Sequence, residues 1–193
     1  MTVILLRHFK VDYRWKPTCT PEEYRLAQTG YDQADVINQR KEVPRGWEWI
    51  VTSTLKRAIQ TARYLCQDCN ATQTSLLNEV PMAPFSGAPR RHWTITLNLA
   101  ARLQWFLNLR QQPETRAQTI QRANAFIDGF LARGPSCLVV GHGLFLQVLS
   151  RQMLRRGFKG RPIGYLTNGE YCIYRLPEGN RTRHGPRPSS SGA

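Results

Sequence analysis

The sequence has no long apolar run. None of its hydrophobic stretches approaches the ~20 residues that a membrane-spanning helix needs. The sequence therefore predicts no membrane partner. The N-terminus lacks a basic region followed by a long apolar stretch, so we expect no signal peptide and a cytoplasmic protein. No internal repeat is visible, and the length of 193 residues suits one domain with a sizeable core.

The cysteines form no framework, since the chain has five, an odd number, at scattered positions. Cys66 and Cys69 form a single C-x-x-C pair, whereas a zinc site would need two more ligands. No cluster of carboxylates that could hold a magnesium or calcium ion is visible either. We therefore predict no metal and no cofactor, and we expect reduced thiols, as is usual in the cytosol.

Acidic residues are few, at 13 Asp and Glu against 27 Lys and Arg, and the net charge is +14. Residues 151–193 supply half of it, with nine basic and two acidic residues. Such a balance favours polyanionic partners, including phosphorylated metabolites, although solubility alone explains it equally well. Nucleic acid is an unlikely partner because no nucleic-acid-binding motif accompanies the charge.

Three short apolar segments are each followed by a basic side chain. They are typical of buried strands, since they are short, apolar and contain β-branched residues. The segments and the residues that follow them are 3–6 with Arg7 and His8, 49–53 with Arg57, and 136–141 with His142. Ligands of open α/β sheets bind beyond the carboxyl ends of parallel strands, so this convergence predicts a ligand site.

The order of these motifs resembles that of the histidine phosphatase superfamily, the group with the phosphoglycerate-mutase-like fold. The family's Arg-His-Gly strand end stands here as Arg7-His8-Phe9, and its second histidine as His142-Gly143. The three other matches are residues 26–34 (LAQTGYDQA), 52–62 (TSTLKRAIQTA) and 77–79 (LNE). One short motif recurs by chance, whereas five in family order are hard to obtain by accident. The chain resembles the short phosphatase branch of the family, because the family's mutases carry longer insertions.

The resemblance, together with the alternation of strands and helices, implies a three-layer α/β/α sandwich with a mostly parallel central sheet. We expect one histidine phosphatase domain over residues 1–176, with a cap-like insertion at about 80–112. Residues 177–193 are rich in Gly, Pro, Arg and Ser, and this composition predicts a basic, disordered tail.

Local patterns predict several elements between these motifs. Thr20 and Glu23 form the signature of a capping box, so a short helix begins there. Further predictions are a second helix from Gly30 to about Lys41, a strand around 74–77, and a hairpin of 165–166 with 170–176 around Asn168-Gly169.

The resemblance also implies a phosphatase that transfers the phosphoryl group to His8 and then to water, without a metal. We expect a neutral His8 nitrogen to be the nucleophile. Arg7 and Arg57 would hold the phosphate bidentately and disfavour the imidazolium form of His8. His142 would donate a further hydrogen bond to the transferred group. Glu79 would protonate the leaving oxygen and then activate the hydrolytic water.

Basic residues near these motifs are candidates for substrate binding. Lys10 and Arg14 follow the nucleophile, and Arg90 and Arg91 lie in the cap-like insertion. They predict a substrate with more negative charge than one phosphate monoester supplies, either a phosphorylated small molecule or a phosphoprotein. Equally, these side chains could face away and only solubilise the protein. The oligomeric state is not predicted.

Two positions depart from the family pattern. Phe9 replaces a glycine and Thr54 replaces a proline. A side chain at position 9 either narrows the pocket or points away from it. The alternative hypothesis is therefore a weakly active or inactive member that serves as a phosphate-binding or interaction module.

Overall fold

A mixed, mostly parallel sheet lies at the centre of the fold. The computed structural model describes residues 1–67, 70–84, 90–131 and 134–177. In chain order its strands are β1 (Thr2–Arg7), β2 (Thr18–Cys19), β3 (Trp49–Thr52), β4 (Thr72–Gln73), β5 (His92–Trp93), β6 (Cys137–Gly141) and β7 (Tyr171–Arg175). Five of them form the central sheet in the order β4-β3-β6-β1-β7, and only β7 runs antiparallel to its neighbour. Strands β2 and β5 pair separately as a short ribbon.

Helices cover both faces of this sheet. They are α1 (Pro21–Gln33), α2 (Lys56–Leu65), α3 (Thr94–Phe106), α4 (Arg116–Phe126) and α5 (Gly143–Arg155). A π-helical turn, Ile127–Leu131, extends α4, and a single 3₁₀ turn lies at Ser75–Leu77.

Side chains that alternate along the strands divide the core into two layers. Leu5 and Val139 pack on one face with Phe126 of α4 and Phe145 of α5. On the other face, Ile4, Leu6 and Val140 pack with Ala58 and Ala62 of α2. Because both faces are covered, β6 is buried along its whole length, and β1 is apolar over residues 3–6. The structure confirms the predicted three-layer α/β/α arrangement.

Strand register brings three strand ends to the same edge of the sheet. Arg7 is opposite Gly141, and Thr52 is opposite Val140. Beyond the strands, the His8 N–H donates to the Gly141 carbonyl (2.9 Å) and the Ser53 N–H donates to the Val140 carbonyl (3.2 Å). His8, Ser53 and His142 therefore leave the sheet side by side.

Helix α1 differs from its prediction at the C-terminal end. The capping box forms, since Thr20 accepts from the Glu23 N–H and the Glu23 carboxylate accepts from the Thr20 N–H. A single helix then runs to Gln33, instead of two helices reaching Lys41. The chain becomes extended at Ala34 so that Val36 can pair with Val11. Burial of Val36 beside Val11 and Phe9 offsets the loss of helical hydrogen bonds.

Two predicted strands are also corrected. Residues 75–77 form the 3₁₀ turn, and the strand pairing with β3 lies earlier, at Thr72–Gln73. Tyr165 and Leu166 are not in a strand, so the predicted hairpin does not form. Gly169, with φ of +76°, instead donates its N–H to the Arg7 carbonyl (3.0 Å), because β7 pairs with β1. The Asn168-Gly169 turn therefore packs against the end of β1.

Cys19, Cys137 and Cys172 are free and buried, whereas Cys66 is disulfide-bonded, which corrects the expectation of a reduced thiol there. Cys69, residues 85–89 of the cap-like insertion, and the tail from residue 178 lie outside the described residues. In the described ranges, no helix is long and apolar enough to cross a bilayer, and no three His, Cys, Asp or Glu residues cluster as metal ligands.

Candidate active site

The ends of β1 and β6 and the first turn of α2 place Arg7, His8, Arg57 and His142 together. The ring centroids of His8 and His142 lie 5.1 Å apart. Arg57 donates from Nε to Nδ1 of His142 (3.2 Å). His8 is 3% exposed, His142 is 0% exposed and Arg57 is 5% exposed, so the cluster is largely withdrawn from water.

His8 is held as a neutral imidazole. Its Nδ1 lies 2.7 Å from the carbonyl of Phe9, and because a carbonyl only accepts, Nδ1 carries the proton. The amide of Asn168 donates to the His8 carbonyl (3.0 Å), which fixes the backbone at this point. Burial, followed by the charge of Arg57 and then that of Arg7, lowers the pKa of His8 to about 3. The Nε2 atom therefore has a lone pair available for attack.

Both ring nitrogens of His142 are engaged by the protein. Because Nδ1 accepts from Arg57, the proton lies on Nε2, which donates to Oγ of Ser53 (2.6 Å). Burial lowers the pKa of His142 well below its ordinary value, and His8 and Arg57 lower it further. His142 therefore orients Arg57 through Nδ1, while the Nε2–H of His142 itself points at Ser53.

Arg57 has two partners that the sequence reasoning missed. Its Nη1 donates to Oδ1 of Asp32 (2.5 Å), and its guanidinium lies over the ring of Tyr31, 5.1 Å from the centroid. Burial raises the pKa of Tyr31, and Glu79 and Asp32 add to the rise, against the charges of Arg57 and Arg7. Both residues belong to the motif at 26–34, as Ser53 belongs to that at 52–62, so the motif positions were the available signal.

Arg7 has an unfilled hydrogen-bonding edge. Its Nη1 donates to the carbonyl of Leu166 (2.5 Å), whereas its buried Nε has no partner among the described residues. A Cβ placed on Gly143 would come within 3.4–3.6 Å of the guanidinium, so the glycine leaves room beside it. An unpaired buried N–H is costly, and an anion at this edge would satisfy it.

Glu79 lies at the N-terminus of α5. Its carboxylate accepts from the N–H groups of Phe145 (3.1 Å) and Leu144 (3.4 Å), and from that of Val80 (3.0 Å). A helix N-terminus stabilises negative charge. The structure thus places the Glu79 carboxylate against the first turn of the helix that follows His142, and within electrostatic reach of Tyr31.

The segment before Glu79 is held by Thr54, one of the departures from the family pattern. Oδ1 of Asn78 accepts from the Thr54 N–H (3.0 Å) and from its hydroxyl (2.9 Å). A proline at position 54 would offer neither donor. Arg122 adds hydrogen bonds from Nη1 to the carbonyls of Leu76 and Asn78. Thr54 therefore anchors the general-acid candidate in place of the usual proline.

The side chain of Phe9 points away from the site. It is 1% exposed, packs with Val11 and Val36, and stacks on Tyr64 at 6.4 Å between centroids. Its N–H donates to Oγ1 of Thr61 (2.9 Å). The second of the two expected orientations is therefore the observed one, and Phe9 does not narrow the pocket.

The loop after His8 alternates between two faces. Its charged residues Lys10 and Arg14 are exposed, whereas Tyr13 and Trp15 point inward and contact the ring of Tyr31. Arg90 and Arg91 are exposed, and Arg91 is paired with Glu23 (2.9 Å) and with the Thr18 carbonyl (2.8 Å). Among the described residues, no hydrogen bond or ion pair joins any of these four basic residues to His8, Arg57 or His142.

Comparisons with known proteins relate this chain to a family. The family model of the histidine phosphatase superfamily (branch 1) matches residues 3–184. A search of the curated proteins found no match.

Solved structures support the fold. A mycobacterial glucosyl-3-phosphoglycerate phosphatase is 18% identical, with a TM-score of 0.52 over 89% of this chain and 88% of that one. Mycobacterial hydrolase 1 is 18% identical, with a TM-score of 0.57 over 91% and 96%. A phosphoserine phosphatase from Entamoeba histolytica is 15% identical, with a TM-score of 0.52 over 89% of each chain. With the family model matching nearly the whole sequence, this chain belongs to the histidine phosphatase superfamily.

Proposed function

We propose that this chain is a metal-independent phosphatase that hydrolyses a phosphate ester through a phosphohistidine on His8. The observation that carries the proposal is the fixed tautomer of His8. Its Nδ1 proton is bound to the Phe9 carbonyl, and its ring lies 5.1 Å from that of His142 and within electrostatic reach of Arg57 and Arg7. An uncharged nitrogen in a cationic, buried setting is suited to attack on a phosphorus atom.

The reaction has two steps. In the first, Nε2 of His8 forms a bond to phosphorus, the ester P–O bond breaks, and the leaving oxygen takes a proton from the Glu79 carboxylic acid. In the second, water attacks the phosphohistidine, Glu79 takes the proton of that water, and the N–P bond breaks to release phosphate. General acid–base catalysis of this kind contributes about 10²–10⁴-fold in rate. Together, the two steps return His8 and Glu79 to their starting states.

Two arginines would stabilise the transferred group. Arg7 has its buried Nε without a partner among the described residues, so this edge is suited to an equatorial phosphate oxygen. Arg57 supplies a second charge, oriented by His142, which Ser53 orients in turn. The predicted donation from His142 to the phosphate would require its N–H to turn away from Ser53. We therefore assign His142 first to positioning Arg57.

The names of two solved neighbours support a phosphate monoester as the substrate. Two solved neighbours are named as a glucosyl-3-phosphoglycerate phosphatase and a phosphoserine phosphatase, and both names describe phosphate monoesters. We propose a phosphorylated small molecule or a phosphoprotein as the substrate, in the cytoplasm. Lys10, Arg14, Arg90 and Arg91 would act by attracting anions to this face rather than by contact with the transferred phosphate.

A screen of phosphorylated metabolites and an aryl phosphate, with wild type and His8→Ala, tests the proposal. We expect turnover by wild type, none by His8→Ala, and an acid-labile, base-stable phosphate on the wild-type protein. His92→Ala is the matched control, because His92 lies in β5, outside the cluster. Equal turnover by wild type and His8→Ala would show that His8 is not the nucleophile.

One observation favours a second candidate, a module that binds phosphate without hydrolysing it. Arg57 and His142 are engaged by Asp32 and Ser53 rather than left open. A chain that binds phosphate in calorimetry, yet turns over none of the screened esters and forms no phosphohistidine, would support this candidate instead.

A further inference from the structure

Asp32 forms an ion pair with Arg57, a residue of the proposed phosphate site. It lies near the C-terminal end of α1, and its carboxylate is paired with Nη1 of Arg57 at 2.5 Å. The Asp32 side chain is 50% exposed, whereas that of Arg57 is 6% exposed. A half-solvated carboxylate thus neutralises a buried guanidinium from the solvent side of the site.

Each edge of the Arg57 guanidinium contains a nitrogen that already donates to another residue. An arginine can bind two phosphate oxygens side by side either through Nε and Nη2 or through Nη1 and Nη2. His142 occupies Nε, and Asp32 occupies Nη1. Nε has a single N–H, so phosphate at that edge would require His142 to leave. Nη1 has two, so phosphate at the other edge would share this nitrogen with the Asp32 carboxylate.

Asp32 is the partner that can leave at the lower cost. His142 is 0% exposed and is fixed by Ser53, so breaking its contact with Arg57 would leave a buried nitrogen without a partner. The Asp32 side chain is already half exposed, so water can solvate its carboxylate after it separates from Arg57. In addition, a carboxylate and a phosphate repel each other on one guanidinium.

We infer that Asp32 competes with the phosphoryl group for Arg57. Its carboxylate orients and neutralises Arg57 when the site is empty, and is displaced from Nη1 when phosphate binds. The inference rests on the proposed function, because it requires phosphate to bind at Arg57. It makes Asp32 a positioning residue that weakens the binding of product phosphate and so assists its release.

Inorganic phosphate binding, measured by calorimetry, tests the inference with Asp32→Asn and Asp35→Asn. Asp35 is the matched control, because it pairs with Lys56, the residue before Arg57, at 2.7 Å, but in an exposed position. We expect Asp32→Asn to bind phosphate about fivefold more tightly than wild type, the size of one modest ion pair. Asp35→Asn should bind as wild type does.

The direction of the change separates competition from support. If Asp32 only supported the fold of the site, Asp32→Asn would bind phosphate more weakly, and either weaker or unchanged binding overturns the inference. Asp32→Ala, with its folding checked by thermal melting, repeats the measurement without the amide. In an Arg57→Gln background, Asp32→Asn should no longer change the affinity; a change that persists would also overturn the inference.

Steady-state kinetics give a second measurement. Product inhibition by phosphate should strengthen in Asp32→Asn by the same factor as in calorimetry, and KM should fall. If wild type and all variants bind no phosphate and hydrolyse no ester, the proposed function fails and this inference with it. If wild type turns over substrate but Asp32→Asn does not bind phosphate more tightly, only the inference fails.

Discussion

At the scale of single residues, each candidate for the chemistry is held by a neighbour that takes no direct part in it. The Phe9 carbonyl sets the tautomer of His8, and Ser53 sets that of His142. These contacts are short and buried, and hydrogen bonds in such surroundings are costly to leave unpaired. The geometry of the site therefore depends on residues that carry no reactive group.

The role of Ser53 can be tested by Ser53→Ala. We expect a loss of about 1–3 kcal/mol in the free energy of unfolding, because the His142 N–H is left without an acceptor. We also expect kcat/KM to fall about 10- to 100-fold, since Arg57 loses its orientation. Chemical denaturation and steady-state kinetics measure the two effects.

Ser150→Ala is the control for that variant. Ser150 is also fully buried and accepts a hydrogen bond from the Ile163 N–H (3.2 Å). It lies about two helical turns beyond His142 in α5, and its own hydroxyl donates to the Gln147 carbonyl. It should lose comparable stability and retain kcat/KM. Equal losses of activity in the two serine variants would mean that stability alone explains the effect of Ser53→Ala.

The buried histidines predict how stability depends on pH. The pKa of His8 is about 3 in the folded chain, against an ordinary value of 6.5. Between these values the unfolded chain binds a proton that the folded chain does not, so stability is full above about pH 6.5 and falls as the pH drops. His142 acts in the same direction.

His8→Gln should therefore flatten this dependence. Each such histidine contributes a slope of up to about 1.4 kcal/mol per pH unit. Denaturation at several pH values between about 6 and 4 should show a shallower slope for His8→Gln than for wild type. An unchanged slope would indicate that His8 is charged in the folded protein.

At the scale of elements, the start of helix α5 brings the most components together. His142 precedes it, Gly143 begins it beside Arg7, and its next two N–H groups bind Glu79. The positive end of a helix dipole also favours a bound anion at this place. One helix terminus thus aligns a histidine, the general-acid candidate and an arginine edge.

Gly143→Ala tests the arginine edge. A Cβ at this position meets the Arg7 guanidinium at ordinary contact distance, so the helix tolerates it and gains up to about 1 kcal/mol from reduced backbone entropy. The added methyl covers the open Nε, and we expect phosphate affinity to fall severalfold while the melting temperature holds or rises. Calorimetry and thermal melting measure both.

Gly129→Ala provides the comparison for that experiment. A Cβ there would meet nothing within 4 Å, and the residue lies in the π-helical turn after α4. It should leave phosphate affinity unchanged. If Gly143→Ala also leaves the affinity unchanged, phosphate does not use the Nε edge of Arg7.

At the scale of the whole molecule, the net charge of +14 bears on how anions approach. Lys10 and Arg14 are exposed on the loop that follows His8, although neither has a contact with the buried cluster. Charges on such a rim act through the solvent, over a screening length of about 10 Å at 0.1 M salt. We therefore expect these charges to raise kcat/KM for anionic substrates, mainly at low salt.

We expect a bisphosphate or a phospho-carboxylate to have a higher kcat/KM than a neutral-bodied monoester at low salt, and the advantage to shrink at high salt. Lys10→Ala with Arg14→Ala should reduce it. Arg151→Ala with Arg155→Ala removes the same charge from the far half of α5 and should change it less. An equal or better rate for the neutral-bodied compound at low salt would contradict this prediction.

The local sequence determined the central strands, the order of the motifs and the residues at the strand ends. Short apolar segments such as 137–141 form buried strands whatever follows them, and parallel strands place their carboxyl ends together. Arg7, His8, Arg57 and His142 were therefore predictable as neighbours. The capping box at Thr20 was predictable for the same reason, because its two hydrogen bonds join residues three apart.

Only the tertiary structure decided the contacts between segments distant in the chain. Asp32 meets Arg57 across 25 residues, and Ser53 meets His142 across 89. The same is true of the end of α1, where pairing of Val36 with Val11 replaces helix, and of Phe9, which is buried against Tyr64. The helix and strand propensities of single residues do not describe such contacts. The free energy of these contacts depends on burial and on distances between charges that arise only when the chain folds.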